Sequence, residues 1–250
     1  MTIRKLIAGN WKMNGSLGML HELDDIAQAT FKHPELDVVL CPSFTLIAPA
    51  IGRQPDMTFG AQDCHYDESG SHTGCVSAPM LREVGASYVI VGHSERRMEQ
   101  NETNEEIRAK TITAMANGLI TIVCIGESRA AHASGQALPI IGAQLDGCIP
   151  TDATSESLVV AYEPIWAIGT GHTPPPENIA EMHASIRDRL CLLLGSEGKK
   201  VRILYGGSVT GKNAAELLSI PEVNGTLVGG ASLTAKQFVP IIEAGASVVA

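Results

Sequence analysis

The chain has 250 residues, 44% of them hydrophobic, with 27 acids against 18 bases and a formal charge of −9. That apolar share can bury a sizeable core and excludes a disordered chain. The acidic balance, with no basic run, excludes nucleic acid and membrane surfaces as partners, and a small anion would need positive potential built locally. The start, MTIRKLIAGNW, has too short an apolar stretch for a signal peptide, and no run approaches the roughly 20 apolar residues of a membrane helix, so cytoplasmic residence is expected. Six scattered cysteines (Cys41, Cys64, Cys75, Cys124, Cys148, Cys191) include no C-x-x-C pair and read as reduced thiols.

In chain order, β-branched apolar runs recur at 5–11, 37–42, 57–62, 87–93, 119–127, 158–164, 201–207 and 225–231. Most lack alternation, as expected of strands covered on both faces in a parallel sheet. Helical patterns lie between them. Thr103 with Glu106 forms a capping box ahead of Ile107, Thr111 and Ala114 on one face, and Thr234 with Gln237 predicts a second box before FVPII. Pro176 suits a first helical turn, with Ile179, Met182, Ile186 and Leu190 at helical spacing behind it. Eight β–α units in this length predict an α/β fold, one (β/α)8 barrel of eight parallel strands over residues 1–250. A doubly wound open sheet is the runner-up, but no G-x-G-x-x-G follows the first strand. The most linker-like piece, IPTDATSES at 149–157, falls between a helix and the next strand.

Polar residues gather where the strands end, the face on which such barrels carry their sites. The first run ends Asn10-Trp11-Lys12, the fourth His93-Ser94-Glu95, and the fifth Cys124 with Glu127 beyond it. The sixth ends in Glu163, the seventh in Gly206-Gly207-Ser208 and the eighth in Gly229-Gly230. Singly, each has a plainer reading: a solvated lysine, a structural histidine, a capping acid, a tight turn. Cys124 is read as a small buried hydrophobe. Together they match one reaction type. Abstracting a proton beside a carbonyl needs a base, for which Glu163 serves, and donors for the enolate oxygen, for which His93 and Lys12 serve. Glycine pairs in the last two units let backbone N–H groups converge on a phosphate.

The stretches GNWKMN (9–14), VGHSERR (91–97), VCIGE (123–127), AYEPIWAIGTG (161–171), YGGSV (205–209) and LVGGASL (227–233) occur in order, and through them the whole chain resembles the triosephosphate isomerase family. The resemblance implies interconversion of dihydroxyacetone phosphate and D-glyceraldehyde 3-phosphate, with no metal or organic cofactor. It implies Glu163 as base, His93 as neutral electrophile, Lys12 as the cation serving phosphate and oxyanion, Asn10 on the same floor, and Glu95 paired near Lys12. Backbone N–H groups of Gly169, Ser208, Gly229 and Gly230 would cradle the phosphate. The 166–171 segment would close as a lid, excluding water from an enediolate that otherwise expels phosphate. The 69–77 loop, SGSHTGCVS, resembles the finger that inserts into a second subunit of a homodimer, with Thr73 reaching the neighbour's Asn10 and Glu95.

The chain departs from the family pattern at Ile165, where valine is usual, at the second hinge His172-Thr173-Pro174, and in the finger, where the usual F-T-G-E reads His72-Thr73-Gly74-Cys75. Two other readings compete. A Schiff-base aldolase barrel wants a lysine within a strand, and the runs of units 4–8 offer none. A non-catalytic barrel scaffold would be expected to lack at least one of Lys12, His93 and Glu163.

Overall fold

The computed structural model describes residues 3–167 and 173–249. Its eight strands are β1 (Leu6–Asn10), β2 (Asp37–Cys41), β3 (Thr58–Ala61), β4 (Tyr88–Val91), β5 (Ile120–Ile125), β6 (Leu158–Tyr162), β7 (Arg202–Tyr205) and β8 (Gly225–Val228). They pair in sequence order, all parallel, and β8 returns to β1 to close the barrel. The open-sheet alternative is thereby excluded. The helices are α1 (Glu22–Lys32), α2 (Phe44–Arg53), α3 (Ala78–Glu83), α4 (Ser94–Glu99), α5 (Asn104–Ala116), α6 (Arg129–Ala133), α7 (Ala137–Cys148), α8 (Pro176–Leu194), α9 (Ala214–Ser219) and α10 (Ala235–Val249). Units four and five each carry two of them.

The unbroken apolar runs have a direct cause: the strands are buried on both faces. Leu6, Ala8, Val39, Cys41, Ile90, Ile122, Cys124, Val159, Ala161, Leu204 and Leu227 fill the barrel interior. The alternate residues Ile7, Val38, Leu40, Val89, Val91, Val123, Val160 and Ile203 pack outward against the helices. Burying a side chain of this size stabilises by about 1.5–3 kcal/mol.

The ladders stop one to three residues before the C-terminal ends expected from sequence. The reason is visible at two places. Gly92 turns the chain out of the extended region at φ 65°, and Lys12 takes a left-handed φ of 53°, which no periodicity reveals. The capping box at Thr103 is present, with each side chain accepting from the other's backbone N–H. That expected at Thr234 is not. The Thr234 hydroxyl instead donates to Gln237 Oε1 at 3.3 Å, and the Ala235 N–H donates to Glu22 Oε2 of α1 at 2.7 Å. A carboxylate is the stronger acceptor for an orphan helix donor. Pro176 opens α8, and Ile179, Met182, Ile186 and Leu190 form its buried face. Among the described residues no helix is long and apolar enough to cross a membrane.

Candidate active site

Two of the interior rows continue beyond the barrel's packed layers and end in polar side chains. Residues 6 and 8 lead to Asn10, and 159 and 161 lead to Glu163. Both are nearly wholly buried. His93 lies off its row, and the turn at Gly92 sets it at the N-cap of α4. These residues, with Lys12, Gly206, Gly207, Ser208, Gly229 and Gly230, line a cavity of about 380 Å³ at the C-terminal mouth of the barrel. The structure therefore brings Asn10, Lys12, His93, Glu163, Ser208, Gly229 and Gly230 to one place. Glu95 reaches it through Lys12. Gly169 and most of the 166–171 segment lie outside the described residues.

Glu163 is 2% exposed. Its Oε1 meets His93 Nε2 at 3.0 Å and its Oε2 accepts from the Ser94 N–H at 3.0 Å. Burial pushes its carboxyl up, but His93 and the Ser94 N–H more than offset this, and the net direction is down. Glu163 is a buried, ionised carboxylate. Glycine at 206 leaves it room, since a Cβ there would stand 2.9 Å from Glu163 Cγ. For His93, burial favours the neutral ring, yet the facing carboxylate outweighs it and moves the imidazole's pKa upward. Nδ1 of His93 accepts from the Glu95 N–H at 3.2 Å, so the ring proton sits on Nε2, facing Glu163.

Lys12 holds its ammonium 2.6 Å from Glu95 Oε1. Its strained backbone is braced twice: its N–H donates to Asn10 Oδ1 at 3.0 Å, and its carbonyl accepts from Gln62 Nε2 at 2.9 Å. Gln62 also donates to the Cys41 carbonyl at 2.8 Å, tying the mouths of β1, β2 and β3 together. Trp11 Nε1 donates to the Ser232 carbonyl at 2.9 Å, which fixes the end of β1 against the turn holding Gly230. That 3-10 turn begins at Gly230, where the first N–H groups have no intrahelical partner and suit an anion.

Several contributors escaped the sequence reading. Gln62 closes the third run, where only its strand-end position hinted at a role. Beyond it, Asp63 sits in a half-buried ion network, 2.8 Å from Lys110 and 2.9 Å from Arg96, with Glu102 completing it. Glu127 is not part of the cavity floor. Its buried Oε1 accepts from Trp166 Nε1 at 2.7 Å and Tyr162 Oη at 3.1 Å, anchoring the chain just after Glu163. Cys124 is buried under Glu163, and burial pushes its thiol well up. It packs as a thiol, as expected. None of the eight strands contains a lysine, which removes the basis of the Schiff-base reading.

A closed parallel barrel that gathers a buried carboxylate, an imidazole and an ammonium at the C-terminal mouth is laid out as a (β/α)8 enzyme for proton transfer. Comparison with known proteins narrows the class. The triosephosphate isomerase family model matches residues 5–245. Triosephosphate isomerase of Ruegeria sp. is 52% identical over 242 residues, covering 96% of this chain and 98% of that one. That of Afipia carboxidovorans is 50% identical, covering 97% and 98%. The crystal structure of triosephosphate isomerase from Bartonella henselae superposes with a TM-score of 0.91 at 42% identity, over 97% of this chain and 99% of that one. The chain belongs to the triosephosphate isomerase family, and its activity is the one that name states.

Proposed function

We propose that the chain interconverts dihydroxyacetone phosphate and D-glyceraldehyde 3-phosphate through an enediolate, with Glu163 as the base. The observation that carries this is a carboxylate at 2% exposure, kept ionised by His93 and the Ser94 N–H at the mouth of a cavity sized for a small ligand. When Glu163 turns from His93 to the substrate, it takes the C1 proton as the C1–H pair becomes the enediolate double bond. It then returns a proton to C2, while the C1 hydroxyl proton passes to the C2 oxygen and the enediolate double bond supplies the new C2–H pair as C1 becomes the aldehyde carbonyl. The same movement removes the carboxylate that held the imidazole's pKa up. Burial then dominates, and neutral His93 donates its Nε2–H to the carbonyl oxygen.

Lys12 brings positive charge to an acidic molecule and meets both the phosphate and the oxygen on which charge develops. Asn10 holds the Lys12 backbone and Glu95 its ammonium. The backbone of Ser208, Gly229 and Gly230, with Gly169 from the lid, receives the phosphate. No metal or organic cofactor is needed for this sequence of proton transfers. A coupled isomerisation assay of the parent beside Glu163→Asp tests it. The shortened carboxylate should lose at least about a hundredfold in kcat with KM little changed, and a variant as fast as the parent would overturn the assignment.

The same reading makes the working molecule a cytoplasmic homodimer. Residues 66–75 form a continuous exposed segment. Met13, beside Lys12, is 96% exposed, and a second hollow of about 190 Å³ lies between Met13, Phe44, Gln62 and Glu95. Thr73 of a second copy would enter this hollow and touch the Lys12–Glu95 pair. Sedimentation of the parent should show a dimer, and deletion of 72–74 should leave weakly active monomers.

A further inference from the structure

We propose that His65, Asp67 and His72 form a binding site for one divalent transition-metal ion of the zinc class. The three side chains bring one ligand atom each to within 4.8 Å of one another. Asp67 Oδ2 stands 2.9 Å from His72 Nε2 and 3.9 Å from His65 Nδ1. Nitrogen and oxygen ligands about 2.0–2.1 Å from a tetrahedral zinc lie roughly 3.3 Å apart, and the two observed separations bracket that value.

The arrangement offers a cation three donor atoms. His65 Nδ1 accepts from the Asp67 N–H at 3.0 Å, so this nitrogen carries a lone pair rather than a proton. The Asp67 N–H occupies that lone pair, and the Asp67 carboxylate lies 3.9 Å away. Among the described residues no lysine or arginine pairs with Asp67. A proton on His72 Nε2 satisfies only the 2.9 Å contact. A divalent ion satisfies all three groups, replacing the bond from the Asp67 N–H. The two imidazoles already stack, with centroids 4.0 Å apart at 29°, so little side-chain freedom is lost on ligation.

Two imidazoles and one carboxylate suit zinc, nickel or copper rather than magnesium or calcium. In the single chain Asp67 and His72 are exposed, so the remaining coordination positions are open there. The site accounts for a departure noted in the sequence. His72 stands where the family pattern has an aromatic plug, and it supplies one of the three ligands. All three ligands come from one chain, and because Asp67 and His72 belong to the 66–75 segment, the ion would lie beside the surface that the dimer reading docks onto a second copy.

The test is a visible-absorption titration of the untagged, chelator-stripped full chain with Co²⁺, followed by Zn²⁺ displacement. The parent should develop a d–d band that saturates at one ion per chain and vanishes with zinc. His72→Phe, Asp67→Asn and His65→Gln should each weaken binding at least about tenfold. Zinc should raise the melting temperature of the parent more than that of the variants. Should one variant misfold by far-ultraviolet circular dichroism, the other two carry the comparison. No saturable band up to millimolar Co²⁺ would overturn the proposal. So would titrations unchanged in the variants, or saturation at one ion per two chains.

Discussion

Replacing Gln62 with methionine keeps the side chain's length and apolar bulk but removes both of its donors, at 2.9 Å to the Lys12 carbonyl and 2.8 Å to that of Cys41. Lys12 occupies a left-handed φ of 53°, a conformation that costs a non-glycine residue about 1–2 kcal/mol. Each lost hydrogen bond removes roughly 1 kcal/mol net. The bond on the Lys12 carbonyl is the one that opposes the strain. Without it the ammonium leaves its position beside Glu95 often enough to lower kcat/KM about tenfold, since 1.4 kcal/mol is a factor of ten. The two bonds together should lower Tm by about 4–8 °C at this chain length. Steady-state kinetics in the coupled assay and a thermal melt give both numbers. A double-mutant cycle separates positioning from general loosening: in a Lys12→Met background, Gln62→Met should lower kcat/KM by no more than about twofold. A full tenfold loss in that background, or an unchanged kcat/KM in Gln62→Met alone, would refute the reasoning.

Four further outcomes follow. Lys12→Met should lose on the order of 3 kcal/mol of transition-state stabilisation, a hundredfold or more in kcat/KM, by steady-state kinetics. Gly206→Ala places a Cβ 2.9 Å from Glu163 Cγ and should cut kcat at least about tenfold while the far-ultraviolet spectrum stays parental. His183, wholly buried with Nδ1 3.1 Å from the Glu222 carbonyl, is pushed down by burial from 6.5 to about 4. Its folded form binds fewer protons than the unfolded chain in that window. Stability contributed by neutral His183 is therefore complete above 6.5 and lost as pH falls toward 4, by about 3 kcal/mol. His93, moved upward, acts in the opposite sense and loses its contribution as pH rises past its folded pKa. Denaturant melts across pH should show a flatter acid slope in His183→Gln. Deleting residues 168–170 should divert much of the turnover to methylglyoxal and inorganic phosphate, read by product analysis; a parental product ratio would end the lid assignment.

The barrel was legible because strands buried on both faces must be apolar at every position, and eight such runs leave few ways to close a core. Asn10 and Glu163 were legible as polar residues closing the first and sixth apolar runs, and the structure adds that each extends an inward-facing row by one step of two. His93 was legible as the polar end of the fourth run, but the Gly92 turn that takes it off its row and onto the N-cap of α4 was not, because residue types alone do not report φ. The Lys12 conformation and its Gln62 brace were invisible, since both rest on contacts between segments 50 residues apart. The failed capping box at Thr234 has the same cause. Glu22 arrives from α1, 213 residues away, and no local rule anticipates it. The ion network of Asp63, Arg96, Glu102 and Lys110 left no mark in the sequence, since Lys110 and Asp63 lie 47 residues apart, yet Lys110 and Glu102 are almost fully covered.

The central claim, that Glu163 removes the C1 proton, is tested most directly by hydrogen exchange in D2O. Dihydroxyacetone phosphate incubated with the parent should gain deuterium at C1, followed by NMR, along with isomerisation. Glu163→Gln keeps the shape and the Ser94 contact but has no basic oxygen, and both exchange and isomerisation should fall together by about a hundredfold to ten-thousandfold. Exchange at the parental rate in Glu163→Gln would show that another group takes the proton, and the account would fail.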